Sequence, residues 1–213
     1  TVEEQILFVL NYAVRAPSTH NSQPWLFRGS GSKLEILADW TRKLPEGDKD
    51  GRDICISLGA CIEHARTAFT YFNMLESVEL NDQFSIDTTA PCATFTLRKG
   101  EGENSSLRDL MHAIETRFNA RGPFIKKPIP DDTLHKVMLS GEEGVAIKLI
   151  TETDELQKFA ELTGEGMRAA HSDPKFRGEI ARWMINNYSS KKEGIPGYTM
   201  LAPGLLSLIL PTI

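Results

Sequence analysis

Cysteine is scarce in this chain: three in 213 residues, at positions 55, 61 and 92. An odd number without regular spacing makes no disulfide framework. Cys55 and Cys61 are six apart, which on a helix turns them about 240° from each other and keeps them from sharing a metal. All three read as buried small apolar residues in a reducing compartment, and the compartment expected is the cytoplasm. The histidines at 20, 64, 112, 135 and 171 have no metal-ligand spacing, so no metal is expected. Basic excess is missing too. Lys and Arg number 24 against 29 Asp and Glu, a formal charge of −5, which argues against a nucleic-acid partner. There is no Gly-x-Gly-x-x-Gly after a strand, no Walker-type loop and no Gly-x-Ser-x-Gly elbow. No basic n-region leads into an apolar core at the start, so no signal peptide is read.

Long hydrophobic runs are lacking as well. Residues 194–213 carry no charge, yet Pro196, Pro203 and Pro211 interrupt them, and at most seven residues separate two prolines. A membrane span needs roughly 20 continuous apolar residues. A buried or partner-covered arm is the expected reading of this tail. What is present is an ordinary globular composition, 40% apolar and 25% charged, enough for a core in one large domain or two small ones.

Apolar spacing predicts a helix over 2–15, with Ile6, Leu7, Val9, Leu10 and Val14 forming a stripe that Pro17 ends. Strands are expected at 25–28 and 33–38, joined by Gly29-Ser30-Gly31-Ser32. Residues 39–53 form a polar loop. A long helix follows over 54–74, apolar on most sides and so destined for a core or a subunit interface. Residues 92–98 make another strand, where Ala93, Phe95 and Leu97 alternate with Thr94 and Thr96. Residues 99–106 have the composition of a linker. Beyond it, helices are expected over 107–116, 131–139, 153–168 (with Thr153 as N-cap) and 176–187, and a strand over 145–150. The two halves, 1–104 and 105–213, share a helix-loop-strand order, which points to an internal repeat.

Two constellations can carry chemistry. The first is Ala16-Pro17-Ser18-Thr19-His20-Asn21-Ser22-Gln23-Pro24-Trp25. Its hydroxyls and amides donate and accept hydrogen bonds without charge, and its prolines fix the backbone. Such a loop suits a polar heteroaromatic ring; equally, it can satisfy its own backbone through Asx and ST turns. His20 is the one histidine in it. The second is Arg117-Phe118-Asn119-Ala120-Arg121. In an extended segment Arg117, Asn119 and Arg121 point the same way, and arginine forks match phosphate oxygens. The alternative is a solvated basic cluster at a helix end. No side chain reads as a catalytic acid, base or nucleophile.

Together these residues resemble the nitroreductase-like FMN flavoproteins. Ala16 to Trp25 is similar to the family's Ala-Pro-Ser-x-x-Asn-x-Gln-Pro-Trp loop. Arg117 to Arg121, with Lys127-Pro128-Ile129-Pro130 behind it, resembles the family's Arg-x-Ser-x-Arg/Lys and Pro-Val/Ile-Pro segments, with Asn119 in place of serine. The order of the two motifs is reversed here. In the family's homodimers one subunit supplies each motif, so the resemblance implies one site built within a duplicated chain, an intramolecular pseudo-dimer. This is similar to the Acg-like subgroup, which Arg42-x-Leu44-Pro45 and Gly51-Arg52-Asp53 also resemble.

The resemblance implies an α+β nitroreductase-like fold, with an antiparallel-dominated central sheet flanked by helices. It implies a tandem pseudo-duplication whose second copy is incomplete, since its own core helix, strand and closing arginine would lie beyond residue 213. It implies FMN held at the ring by Pro17, Ser18, Thr19, Asn21 and Gln23, and at the phosphate by Arg117, Phe118, Asn119 and Arg121. The activity implied passes reducing equivalents from NAD(P)H through FMN to a nitroaromatic, quinone or similar acceptor. The alternative is a flavin-binding protein without turnover, lidded by residues 194–213. A homodimer is compatible with either.

Overall fold

The computed structural model describes residues 1–119, 124–125, 127–141 and 144–209. It is α+β, with seven α-helices and a four-stranded antiparallel sheet among the described residues. The chain divides into two compact units, Thr1–Ala120 with Gly178–Ile213, and Arg121–Arg177.

The first unit opens with α1 (Val2–Ala13), whose N-terminus is closed by a capping box between Thr1 and Glu4. Ile6, Val9 and Ala13 are its buried stripe. Leu7 and Val14, expected in that stripe, are exposed, because the helix stops at Ala13 and its core face is one residue narrower than the spacing implied. Strands β1 (Trp25–Ser30) and β2 (Lys33–Ala38) form the expected hairpin, except that Gly29 and Ser30, expected in the turn, pair with Leu34 and Lys33 as strand and leave Gly31-Ser32 as the turn; β4 (Ala93–Leu97) pairs with the other side of β2. β3 (Leu75–Leu80) completes the order β1-β2-β4-β3, all antiparallel.

The alternation in β2 and β4 buries Leu34, Ile36, Ala93, Phe95 and Leu97 on one face. α2 (Arg52–Tyr71) covers that face with Leu58, Cys61, Ala65, Ala68 and Phe69. The Phe69 and Phe95 ring centroids lie 5.7 Å apart, a tilted aromatic contact that joins helix to sheet. α1 lies along α2, where Phe8 and Tyr12 meet Phe72 edge-on or tilted. α3 (Arg108–Thr116) adds Met111 and Ile114 to the same core.

Residues 99–106 read as a linker but are pinned. The Gln5 side-chain amide exchanges two hydrogen bonds with the Gly100 backbone, at 3.0 and 3.1 Å, and the Asn104 N–H donates to the Tyr71 carbonyl. A Cβ at Gly100 would stand 2.3 Å from the Phe72 carbonyl oxygen and 2.6 Å from Met74 Cγ. Backbone cannot step aside as a flexible side chain can. Gly100→Ala therefore lowers stability by about 1–3 kcal/mol, read from the urea midpoint of the variant.

The thiols follow burial, with one correction. Cys61 and Cys92 are buried; Cys55 is exposed, because it sits on the outer face of α2. Burial raises the Cys61 thiol pKa and pushes that of Cys92 to about 11, so both stay protonated and unreactive at neutral pH.

In the second unit, α4 (Asp131–Leu139) and α5 (Thr153–Ser172) form as expected, the latter running four residues further. Thr153 is the first helical residue, not the cap; Glu152 holds the cap position without a side-chain bond. Residues 145–150 are not a strand. An apolar run becomes a strand only against a partner, and the described residues of this unit contain none. The likeness drawn between the two halves thus loses one of its elements.

α6 (Pro174–Trp183) begins in the second unit and ends in the first. It stops four residues short of the expected 187, at a short strand β5 (Met184–Ile185) that pairs in parallel with β6 (Ile195–Pro196). The last helix is α7 (Gly204–Ser207). Among the described residues no helix is long and apolar enough to cross a membrane.

Candidate functional site

The loop between α1 and β1 folds by turning sharply on itself. His20, Asn21 and Gln23 all take left-handed backbone angles, with φ of 57°, 54° and 52°. Such angles cost roughly 1–3 kcal/mol per non-glycine residue and cluster where geometry serves a purpose, although Asn tolerates them best. The turn is held from within. Ser18 Oγ accepts from the Gln23 N–H at 2.9 Å, and the N–H groups of Asn21 and Ser22 donate to the carbonyls of Ser18 and Thr19. Pro24 and Trp25 are buried and anchor the exit into β1. Pro17, Ser18, Thr19, His20 and Gln23 are half-buried, and Asn21 is exposed.

Thr19 Oγ1 donates to Asp53 Oδ2 at 3.0 Å, so its hydroxyl proton is committed to the first turn of α2. That turn is itself capped from a distance. The buried Asp48 carboxylate accepts from the N–H groups of Asp53 and Ile54 at 2.9 and 3.0 Å, placing negative charge where the helix leaves donors unsatisfied.

A segment distant in sequence closes over the loop. Asn21 Nδ2 and Gln23 Nε2 both donate to the Lys192 carbonyl, at 3.0 and 2.8 Å. The two side-chain amides therefore converge on one point. Arg42 locks this arrangement. It donates to the Ser22 carbonyl at 2.7 Å and to Asp39 at 3.0 Å, and pairs with Glu193. The hydrogen bond to Glu193 holds the guanidinium pKa above its ordinary value. Burial works against ionised Asp39, but bonds from Thr41 and Arg42 outweigh it and keep that carboxyl below its usual value. Beside these groups lies a cleft of about 340 Å³, with Val14, Trp25 and Phe27 as its apolar wall and Gln23 as its amide. Small-molecule pockets span roughly 300–1,000 Å³.

The second predicted half sits at the other end of the same loop. The Arg117 guanidinium donates to the Arg15 carbonyl at 3.0 Å and to Asn119 Oδ1 at 2.8 Å. Arg15 reaches back to the Glu115 carbonyl at 3.4 Å. The ends of α1 and α3 thus cap each other, one residue before Ala16. Arg117 is half-buried, Phe118 and Asn119 are exposed, and Arg121 lies outside the described residues.

His64 stands close by, with Nδ1 3.4 Å from the Tyr12 carbonyl. A carbonyl only accepts, so this nitrogen carries the proton. Burial lowers the His64 pKa below 6.5, and the Arg117 charge lowers it further. The unfolded chain therefore binds a proton that the folded chain resists. Stability is complete above about pH 6.5 and falls as the pH drops through the lower folded value. A His64→Gln variant should show a flatter acid limb of melting temperature against pH than the parent protein.

Arg42 and Asp53 were visible only as parts of the Arg-x-Leu-Pro and Gly-Arg-Asp strings. Lys192, Glu193 and the buried Glu179 had no sequence signal at all.

No family model matches the chain. Partial relatives exist in Mycobacterium tuberculosis. "Putative NAD(P)H nitroreductase Rv3131" of strain H37Rv is 40% identical over 65 residues, which is 30% of this chain and 19% of that protein. "Putative NAD(P)H nitroreductase acg" is 36% identical over 67 residues, 32% of this chain and 20% of that one. "Uncharacterized protein Rv3127" is 44% identical over 62 residues, 27% and 18% respectively. The matched stretch spans about a fifth of the length of these curated relatives. Over that stretch the chain is similar to proteins bearing nitroreductase names, and its antiparallel α+β unit is compatible with a nitroreductase-like fold.

Proposed function

We propose that the protein is an FMN-dependent oxidoreductase of nitroreductase type, within a duplicated Acg-like architecture. FMN, when bound, would supply the redox chemistry, with NAD(P)H as donor and a nitroaromatic, quinone or similar compound as acceptor. The protein's part is to bind, orient and shield. The observation that carries the reading is the convergence of the Asn21 and Gln23 amides beside the cleft walled by Val14, Trp25 and Phe27. The cleft's lining joins that apolar wall to Gln23, Arg42, Lys191, Lys192 and Glu193, a mix of apolar surface and hydrogen-bonding groups that suits an isoalloxazine ring.

The residues fit the group unequally. Asn21 and Gln23 each give one N–H to Lys192 and keep a second N–H and a carbonyl oxygen for a ring. Ser18 accepts through Oγ and keeps its own proton to donate. Thr19 serves by fixing the loop to α2. Pro17 sets the backbone before it. Arg117, Phe118, Asn119 and Arg121 are proposed for the phosphate end; what supports this is that Arg117 and Asn119 already face each other at the base of the loop.

A second reading, flavin binding without turnover, draws on the Lys191–Gly194 segment, whose Lys192 carbonyl takes one N–H from each of the two amides and so ties the segment to the loop. Anaerobic addition of NADPH to the FMN-loaded protein separates the two. The oxidoreductase reading expects the visible flavin band to bleach and to return with a nitroaromatic or quinone. A band that NADPH and NADH both leave intact excludes turnover.

A further inference from the structure

A second cleft shares Lys191 and Glu193 with the first and has no residue of the 16–25 loop in its lining. It measures about 430 Å³, and Lys43, Arg182 and Lys191 contribute three cations to its lining. None of the three belongs to an ion pair among the described residues. The two carboxylates in the lining have partners outside the cleft's three cations. Glu179 is 1% exposed and accepts the N–H groups of Glu46 and Gly47 at 2.9 and 2.8 Å. Glu193 is paired with Arg42. The half-buried Trp183 also lines the cleft and has no ring partner among the described residues.

With Glu193 charge-paired to Arg42, three cations face one carboxylate, Glu179, around this concavity; that excess attracts a multiply charged anion, and an arginine fork matches phosphate oxygens. The half-buried Trp183 indole in the lining adds an aromatic surface on which a nucleobase stacks. We propose that this cleft binds the phosphorylated adenosine end of a nucleotide. Arg182 and Lys191 hold the phosphomonoester, Lys43 adds charge, and Trp183 carries the adenine. Lys191 and Glu193 line both clefts, so a nucleotide here lies next to the proposed flavin pocket. Naming the donor rests on the oxidoreductase reading: under it, the ligand is NADPH rather than NADH, because only NADPH carries a phosphomonoester on the adenosine ribose.

The probe is adenosine 2′,5′-bisphosphate, titrated into the purified chain by calorimetry and tryptophan fluorescence, with no flavin needed. Saturable binding is expected, weakened by added salt, with adenosine alone binding at least about tenfold more weakly. Arg182→Ala with Lys191→Ala should reduce affinity by about tenfold or more, and Trp183→Phe should abolish the fluorescence change while circular dichroism stays unaltered. Affinity that is unchanged in the double variant overturns the proposal. Inorganic phosphate binding as tightly as the bisphosphate overturns the nucleotide assignment. If the bisphosphate binds but the protein takes no FMN, the cleft stands and the oxidoreductase reading falls; if FMN binds and the bisphosphate does not, the reverse holds.

Discussion

Glu179→Leu is expected to lower the unfolding free energy by about 2–5 kcal/mol. The side chain is buried, and its two oxygens take the N–H groups of Glu46 and Gly47. Leucine fills the space but removes a charged acceptor from two backbone N–H groups, and a hydrogen bond to a charged group contributes about 1.5–3 kcal/mol, less where water replaces it, as it can at the exposed Gly47. The damage spreads along the loop. Two residues after Glu46, the Asp48 carboxylate caps α2, and α2 in turn holds Thr19 through Asp53. Glu179→Gln should fall between parent and leucine variant, because an amide can accept one N–H but turns a donor toward the other. Glu46→Ala, which removes only a side chain in a partly exposed pair with Lys49, should change stability by well under 1 kcal/mol. Urea unfolding of the three variants reads this order directly. A leucine variant as stable as the parent would mean that the 178–196 segment does not rest on residues 46–47.

The second large effect concerns the ligand. Arg117→Ala combined with Arg121→Ala should weaken FMN binding by roughly a hundredfold or more, since a charge-assisted hydrogen bond contributes about 1.5–3 kcal/mol and two are removed. Arg117 also supports the Arg15 carbonyl, so some loss of stability without ligand is expected as well. The two roles separate in the readout. Unfolding of the flavin-free protein reports the structural part, and FMN titration at a temperature where both proteins are folded reports the clamp. Arg117→Lys keeps the charge and loses the fork; it should recover part of the affinity. Occupancy unchanged in the double alanine variant refutes the clamp.

Much of the first unit was legible because its chemistry is periodic. Leu34, Ile36 and Ala38, then Ala93, Phe95 and Leu97, alternate as a half-buried sheet demands, and both strands form where that pattern runs. β3 was missed because it does not alternate. A bulge between Leu75 and Ser77 shifts its register, and as an edge strand it buries little. The apolar residues at 145–150 have the pattern of a strand but no strand partner among the described residues, and they form none. The loop at 16–25 announced its chemistry through composition, and its hydroxyls and amides are engaged as such residues engage. What covers it was invisible. Lys192 meets Asn21 and Gln23 across 171 and 169 residues of chain, and Glu193 meets Arg42 across 151. Contacts of that range leave no local pattern. The buried Glu179 was equally hidden, since a lone glutamate on a helix ordinarily faces water.

The measurement that bears most directly on this account is an FMN titration of the purified chain, followed by the visible spectrum and by quenching of flavin fluorescence. One FMN is expected to bind saturably, less tightly after Asn21→Ala with Gln23→Ala and less tightly still after loss of Arg117 and Arg121. A colourless protein whose spectrum and fluorescence show no uptake of added FMN would contradict it.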